Sequence, residues 1–268
     1  MESSGDCAAT NIRRRRSRHE DTVVEPLTAD AFRADRTSRF YVGMAWLALA
    51  VALAGFLPTF FLPLARGAFS APPVVYLHGA LLFAWLVLFT MQTMLIRWQR
   101  PSAHRRTGYL AVVLVPCIVV SGIAVGVFAM KRDVAAGGGE TAVSSLVGTV
   151  TALLLYAALV AAALWYRRRP DYHKRLMLLA TLSILWPAWF RFRHYFPSVP
   201  HPEIVFAIVF PDSLILAAMI RDQLAVGRVH RVYVVAGLAL IAEHVVEAIL
   251  FDTPAWRVVA HRLAEWLP

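Results

Sequence analysis

Cysteine and asparagine are scarce in this chain. Only two of its 268 residues are cysteines, Cys7 in a polar segment and Cys117 in an apolar run. Two cysteines in such different surroundings exclude a disulfide framework and a Cys-x-x-Cys metal site. Asn11 is the only asparagine, and it belongs to no glycosylation sequon.

Charged residues are also few, at 16% of the chain, whereas soluble domains contain about 25%. Apolar residues make up 59%, and the mean hydropathy is +0.58. A soluble domain of this size could not bury so much apolar surface, because the buried fraction rises slowly with chain length. No loop between the apolar runs is long enough to fold as a catalytic domain. The composition therefore predicts an all-α integral membrane protein.

Seven apolar runs reach or approach the length of about 20 residues that a membrane helix needs. They lack the alternation of polar and apolar residues that is typical of membrane β-strands. The first run begins behind a long charged segment, so we do not expect a cleaved signal peptide. We predict a bundle of seven transmembrane helices at Phe40–Leu62, Val74–Ile96, Gly108–Met130, Ser144–Tyr166, His173–Phe190, Pro202–Ile220 and Val232–Leu250.

The basic residues fall mainly on one side of these runs. The N-terminal segment has eight, and the loops after the second, fourth and sixth runs have four, five and three, so 20 of the 27 share a side. Because positively charged segments stay in the cytoplasm, we predict a cytoplasmic N-terminus and an external C-terminus. The net charge of +10 thus indicates orientation and does not indicate a nucleic-acid partner.

The two ends of the chain differ from the bundle, residues 40–250. Residues 1–39 are basic and lack apolar periodicity, which predicts a largely disordered cytoplasmic tail. Residues 251–268 contain Thr253 and Pro254, an N-cap and a first helical residue, and predict a short amphipathic helix on the outer surface. Anionic lipid headgroups are candidate partners of the tail, at about 1 kcal/mol per basic residue, although a plain topology anchor explains the same arginines. These arginines are Arg13, Arg14, Arg15, Arg16 and Arg18.

Two loops on the basic side carry nearly the same string. Arg-Pro-Ser-Ala-His-Arg-Arg, which contains His104, precedes the third run, and Arg-Pro-Asp-Tyr-His-Lys-Arg, which contains His173, precedes the fifth. A looser version with His230 precedes the seventh. In both strings the proline ends one helix and a serine or aspartate can cap the next. Duplication of a hairpin and convergence on the same loop chemistry both explain the repetition.

Three larger polar side chains share one face of the second run. His78, Trp85 and Gln92 are seven residues apart, so they lie on one stripe of a helix. Polar groups inside a membrane are costly to insert and therefore carry a functional hypothesis. This stripe is expected to point into the bundle.

Acidic residues interrupt the last two runs. Asp212 lies near the middle of the sixth, while Glu243 and Glu247 are four residues apart on one face of the seventh. His244 lies about 100° around that helix from Glu243. Arg191, at the end of the fifth run, is a candidate partner for a carboxylate. We predict a polar pocket, largely in the outer half of the membrane, formed by His78, Gln92, Trp85, Asp212, Glu243, Glu247 and Arg191.

Three roles remain open for this pocket. It is a structural network that joins helices, or it binds a small ligand, an ion or a proton, or it holds a metal ion or a b-type haem in a redox or hydrolytic enzyme. For the third role His78, His244 and His194 are the candidate ligands. We favour the second role and expect no enzymatic activity.

Five sequence features stand out together: His78-Gly-Ala-Leu-Leu-Phe-Ala-Trp85, Gln92, His104-Arg-Arg-Thr-Gly-Tyr109, His173-Lys-Arg-Leu-Met-Leu-Leu-Ala180 and Thr253-Pro-Ala-Trp256. They resemble an uncharacterised family of bacterial polytopic membrane proteins with no assigned activity. The resemblance covers residues 40–266 and implies the topology and a bacterial inner-membrane location. It favours His78 and Gln92 as functional residues over Glu243 and Glu247, which lie outside the matching strings.

Overall fold

The structure, a computed structural model, describes residues 29–267, with side chains from residue 38 onward. The chain divides into two compact units between Arg36 and Thr37, and the description below concerns the second unit. Every regular element in the described range is helical. The arginines proposed to bind lipid headgroups lie outside the described residues.

Eight helical elements follow one another within residues 38–267. They are α1 (Ser38–Ala65), α2 (Pro73–Arg97), α3 (Pro101–Ala135), α4 (Gly139–Trp165), α5 (Pro170–Ser183), α6 (Pro202–Val226), α7 (Tyr233–Leu250) and α8 (Pro254–Trp266). Six of them, all except α5 and α8, are long and apolar enough to cross a membrane. The protein is therefore an all-helical multi-pass membrane protein.

Four of the long elements contain local irregularities. The regular α-helix in the first part of α1 ends at Phe56. One wide, π-helical turn occurs in each of α1, α6 and α7, at Leu57–Phe61, Val205–Val209 and Tyr233–Gly237. In α3 a short helix, Pro101–Gly108, is followed by the longer Leu110–Ala135.

Proline begins five of the helices. It is the first residue of α2, α3, α5, α6 and α8. Proline suits this position because its fixed φ is helical and its missing N–H would have had no partner in the helix. A glycine, in contrast, ends α6. Gly227 has a φ of +76°, and its N–H donates to the Gln223 carbonyl oxygen.

The fifth predicted run is not one continuous helix. The prediction of a helix over His173–Phe190 is replaced by α5, a turn, a one-turn helix Trp186–Phe190 and a 3₁₀ turn Arg191–His194. Pro187 explains the interruption, because it has no N–H to donate to the preceding helical turn. We call residues 170–194 the broken segment.

The broken segment contains four consecutive residues that are fully buried. Leu178, Leu179, Ala180 and Thr181 are fully buried. In the long helices, by contrast, only 17–44% of the most apolar stretch is buried inside the protein. The remaining apolar surface faces outward, which is typical of helices that contact lipid.

Helix α8 is docked onto α4. It begins as the sequence predicts, with the Thr253 hydroxyl accepting a hydrogen bond from the N–H of Trp256. The indole N–H of Trp256 donates to the carbonyl oxygen of Ser144 at 3.0 Å. Asp252 accepts from Arg257 at 2.9 Å and from the Ser144 hydroxyl at 2.7 Å, and these donors hold the pKa of its carboxyl well below the usual range.

Candidate functional site

The acidic residues of α6 and α7 meet around one histidine. The Nδ1 of His244 lies 2.7 Å from Oδ1 of Asp212, and its Nε2 lies 3.8 Å from Oε2 of Glu243. His244 therefore joins a carboxylate of α6 to a carboxylate of its own helix. We call Asp212, Glu243, His244 and Glu247 the acidic cluster.

Helix α4 closes the acidic cluster with small residues. Glu247 lies one turn after Glu243, and its carboxylate rests against Gly148 of α4. A Cβ atom added at Gly148 would lie 2.8 Å from Cδ of Glu247, so only glycine leaves room for the carboxylate. The side chain of Thr151, one turn further along α4, is beside Glu243, but its hydroxyl donates to the carbonyl oxygen of Gly148 at 3.1 Å. The cluster is thus assembled from three helices, with all its ionisable groups on α6 and α7.

Burial makes the charge of the acidic cluster costly. The side chains of Asp212 and His244 are 8% and 11% exposed, and that of Glu243 is 25% exposed. Within residues 38–267, Oε1 of Glu243 is buried without any hydrogen-bond partner, and no lysine or arginine forms an ion pair with the cluster. Three carboxylates therefore face one imidazole as their only ionisable basic partner in the described part of the chain.

A wide helical turn precedes Asp212. The π-helical turn Val205–Val209 is followed at once by the regular part of α6, in which Pro211 occupies one of the first two positions. Such turns are frequent at functional sites, because they rotate the side chains that follow them. Both Pro211 and Asp212 are buried, so the turn delivers the carboxylate into the bundle.

His78 is held by α3, apart from the acidic cluster. Its Nδ1 lies 3.0 Å from the hydroxyl oxygen of Ser121, which in turn donates to the carbonyl oxygen of Cys117. Its Cε1 packs against Gly122, where an added Cβ would lie 3.0 Å away. No hydrogen bond or ion pair in the described region joins His78 to the cluster.

Trp85 and Gln92 have structural partners instead. Trp85 is fully buried, donates to the Thr181 hydroxyl at 3.3 Å and packs edge-on against Tyr156. The amide of Gln92 lies 2.8 Å from the hydroxyl oxygen of Thr107 at the start of α3. The shared stripe predicted for the second run exists on α2, but the bundle gives each of its members a different neighbour.

Arg191 faces α1 and not the carboxylates. Its Nε donates to the Thr59 hydroxyl at 3.1 Å, its Nη1 donates to the Pro187 carbonyl oxygen at 2.6 Å, and its guanidinium lies 4.2 Å from the centre of the Phe56 ring. The break before Pro187 turns this end of the chain toward α1. The predicted pairing of Arg191 with a carboxylate is therefore not present.

The three histidines proposed as metal or haem ligands are not brought together. His78 and His244 contact different partners, and His194 belongs to the 3₁₀ turn of the broken segment. Among the residues with described side chains, no group of three or more His, Cys, Asp or Glu residues is arranged to hold a metal ion. The geometry offers no preformed metal centre in that part of the chain.

The histidines of the repeated loops lie near one another. The rings of His104 and His173 are 6.3 Å apart and perpendicular, and His230 packs edge-on against Tyr172 at 4.8 Å. Nδ1 of His173 lies 2.8 Å from the carbonyl oxygen of Ala163. The similar loops thus meet at one end of the bundle.

One buried ion pair was not predicted from the sequence. Nε of Arg175 donates to Oδ2 of Asp222 at 2.7 Å, and the two side chains are 4% and 1% exposed. Arg175 counts among the loop cations in the sequence, and Asp222 lies just beyond the predicted end of the sixth run. The only sequence feature that could have indicated this pair is that the carboxylate of Asp222 directly follows the basic residue Arg221.

Comparison with known proteins yields no relative. No family model, no curated protein and no solved structure matches the chain. The function is therefore argued from the geometry of the acidic cluster.

Proposed function

We propose that the protein binds and exchanges protons at the acidic cluster, in the outer half of a bacterial inner membrane, and catalyses no covalent reaction. The buried Oε1 of Glu243, which has no hydrogen-bond donor in the described structure, carries this proposal. An ionised carboxylate in apolar surroundings is expensive unless it is paired and hydrogen-bonded. A proton on Glu243 removes its charge and turns an unsatisfied acceptor into a donor.

The arrangement of the cluster favours a proton over a larger occupant. The imidazole of His244 already lies at hydrogen-bond distance from Asp212, and the Glu247 carboxylate fills the space beside Gly148. A calcium-sized cation requires six to eight oxygen ligands around one point. The cluster has instead a chain of groups, each of which can accept and release a proton. Such chains of carboxylates and histidines act as proton relays in membrane proteins.

The proposed location assumes seven membrane crossings, with the broken segment as the fifth. Its two ends lie beside the two ends of α1, since the ammonium of Lys174 is over the ring of Tyr41 and Arg191 contacts Thr59. The helix between Tyr41 and Thr59 covers roughly 27 Å at 1.5 Å per residue. This length is close to the hydrocarbon thickness of about 30 Å.

The basic residues support an orientation for these seven crossings. An odd number of crossings puts the termini on opposite sides, and 20 of the 27 basic residues then fall on the side of the N-terminus. The positive-inside rule makes that side the cytoplasm. Asp212 and Glu243 then lie in the outer half of the membrane.

Thermal unfolding in detergent separates a proton site from a purely structural network. Glu243→Gln mimics the protonated carboxyl, so we expect a melting temperature equal to or above that of the wild type, with a weaker dependence on pH. Asp212→Asn removes the carboxylate that accepts from His244, so we expect a lower melting temperature. The exposed Glu203 provides the control, and Glu203→Gln is expected to change neither quantity. If Glu243→Gln destabilises the protein as strongly as Asp212→Asn, the cluster is a structural network and the proposal fails.

A further inference from the structure

A basic cavity opens at the end of α6 that is remote from Asp212. Its volume is about 270 Å³, and it lies between the start of α5, the end of α6 and the loop that leads to α7. Its polar lining is formed by Lys174, Arg175, Arg221, Arg228, His230 and Asp171. A neighbouring cavity of about 370 Å³ shares Arg228 and His230 and adds Tyr172 and Arg231. We call the first of these the basic cavity.

The wall of the basic cavity is fixed by buried charge. Arg175 is almost completely buried, donates from Nε to Asp222 at 2.7 Å and from Nη1 to the Asp171 carbonyl oxygen at 2.8 Å. Its guanidinium also lies 5.8 Å from the centre of the Tyr233 ring. A loop arginine that served only as a topology anchor would be solvated. Arg175 is instead held in place, as a binding group must be.

Cations outnumber carboxylates in the lining of the basic cavity. Asp222 accepts from both Arg175 and Arg221, and Asp171 pairs with Lys174 at 2.7 Å. Arg228, the fourth cation of the lining, takes part in none of the hydrogen bonds or ion pairs between residues 38 and 267. The lining thus contains four cations and, among its own residues, one carboxylate, that of Asp171.

The turn after α6 brings Arg228 and His230 into the lining. Gly227 ends the helix with a positive φ of 76°, and the chain reverses so that Arg228 lines the same cavity as Arg221. Nδ1 of His230 accepts a hydrogen bond from the N–H of Val232 at 3.2 Å. The neutral imidazole therefore carries its proton on Nε2, where it is a donor for an incoming anion.

We propose that the basic cavity binds a phosphate group, carried either by an anionic lipid headgroup or by a soluble phosphate. A phosphate monoester has a charge of about −1.5 to −2 at neutral pH, which is complementary to a lining of four cations and one carboxylate. Planar guanidinium groups bind its oxygens in pairs, and Arg228 supplies such a group in the lining. This site shares no residue with the acidic cluster.

Titration calorimetry with inorganic phosphate tests the soluble source. The full chain in an uncharged detergent, at constant ionic strength, is expected to bind phosphate saturably. Arg228→Gln is expected to weaken this binding at least about tenfold, because a charge-assisted hydrogen bond is lost. Arg228→Lys should retain part of the affinity. Arg100, an exposed arginine in the loop before α3, provides the control, and Arg100→Gln should leave the affinity unchanged.

Lipid nanodiscs test the membrane source. One set contains phosphatidylcholine only, and the other also contains phosphatidate, whose headgroup is a phosphate monoester. A melting temperature that rises with phosphatidate in the wild type, but not in Arg228→Gln, identifies a lipid headgroup as the ligand. Saturable binding of inorganic phosphate that is sensitive to Arg228 identifies a soluble ligand. The proposal is overturned if neither probe binds, or if Arg100→Gln weakens binding as much as Arg228→Gln.

Discussion

The close contact between α1 and the broken segment predicts that a single added methyl group destabilises the fold. An added Cβ at Gly55 would lie 2.8 Å from the carbonyl carbon and 3.0 Å from the Cα of Ala188. Carbon atoms in contact normally stay 3.5–4.0 Å apart, so the two backbones would have to separate by roughly 0.5–1 Å. Because backbone atoms cannot rotate away as a side chain can, we expect Gly55→Ala to destabilise the fold by about 1–3 kcal/mol.

Gly43 provides the matched control on the same helix. A Cβ added at Gly43 meets no atom within 4 Å. Replacing glycine by alanine in a helix stabilises it by up to about 1 kcal/mol when nothing obstructs the methyl group. Gly43→Ala is therefore expected to be neutral or stabilising, while Gly55→Ala lowers the melting temperature in detergent.

A second variant distinguishes backbone contact from side-chain contact. The obstruction at Gly55 is the backbone of Ala188, so Ala188→Gly, which removes only a methyl group, is not expected to rescue Gly55→Ala. The measurement is thermal unfolding followed by tryptophan fluorescence. If Gly55→Ala melts at the same temperature as Gly43→Ala, the broken segment does not lie directly on α1, and the argument for a fifth crossing loses its support.

Three further substitutions have defined outcomes. Gly148→Ala forces the Glu247 carboxylate out of its place and should cost about 1–3 kcal/mol in thermal unfolding. Asp252→Asn should speed hydrogen exchange in α8 at neutral pH, because it removes the carboxylate that accepts from Arg257 and Ser144. In the wild type these hydrogen bonds are present above about pH 4 and are lost only as the pH falls through the lowered pKa of Asp252. Arg175→Ala leaves the buried Asp222 with Arg221 as its remaining charged partner, so it should cost less than the about 3–5 kcal/mol expected for an unpaired buried charge, and Arg175→Ala with Asp222→Ala should recover part of this loss.

Each of these predictions has a control or an outcome that contradicts it. Gly79 faces open space, so Gly79→Ala should not destabilise the protein, and equal melting of the two glycine variants would refute the packing of Glu247 on α4. Glu265 is exposed on α8, so Glu265→Gln should leave hydrogen exchange unchanged. A double variant that is no more stable than Arg175→Ala alone would show that Arg175 acts independently of Asp222.

Apolar run length predicted most of the helices, and local chemistry predicted some of their ends. Thr253 and Pro254 correctly predicted the start of α8, because helix capping depends only on neighbouring residues. The break at Pro187 was missed because the flanking residues are apolar enough to be counted as one run. Mean hydropathy shows that a segment is apolar. It does not show whether the helical hydrogen bonds of the backbone are uninterrupted.

The candidate site was only partly predictable for a related reason. Helical periodicity placed Glu243 and Glu247 on one face, because the spacing of four residues between them lies within a single helix. The contact between His244 and Asp212 depends on how α6 and α7 are rotated about their axes, which the sequence of neither helix specifies. Trp85 was assigned to the same pocket from its stripe on α2, yet its indole is satisfied by Thr181 of the broken segment.

Infrared difference spectroscopy during a pH titration tests the proton-binding function most directly. The wild-type protein in detergent is compared with Glu243→Gln and, as the control, with Glu203→Gln at an exposed position. We predict that Glu243→Gln removes a titrating carbonyl band of a buried carboxylic acid, which Glu203→Gln retains. A Glu243→Gln spectrum that is superimposable on that of the wild type would contradict the proposal that the acidic cluster exchanges protons.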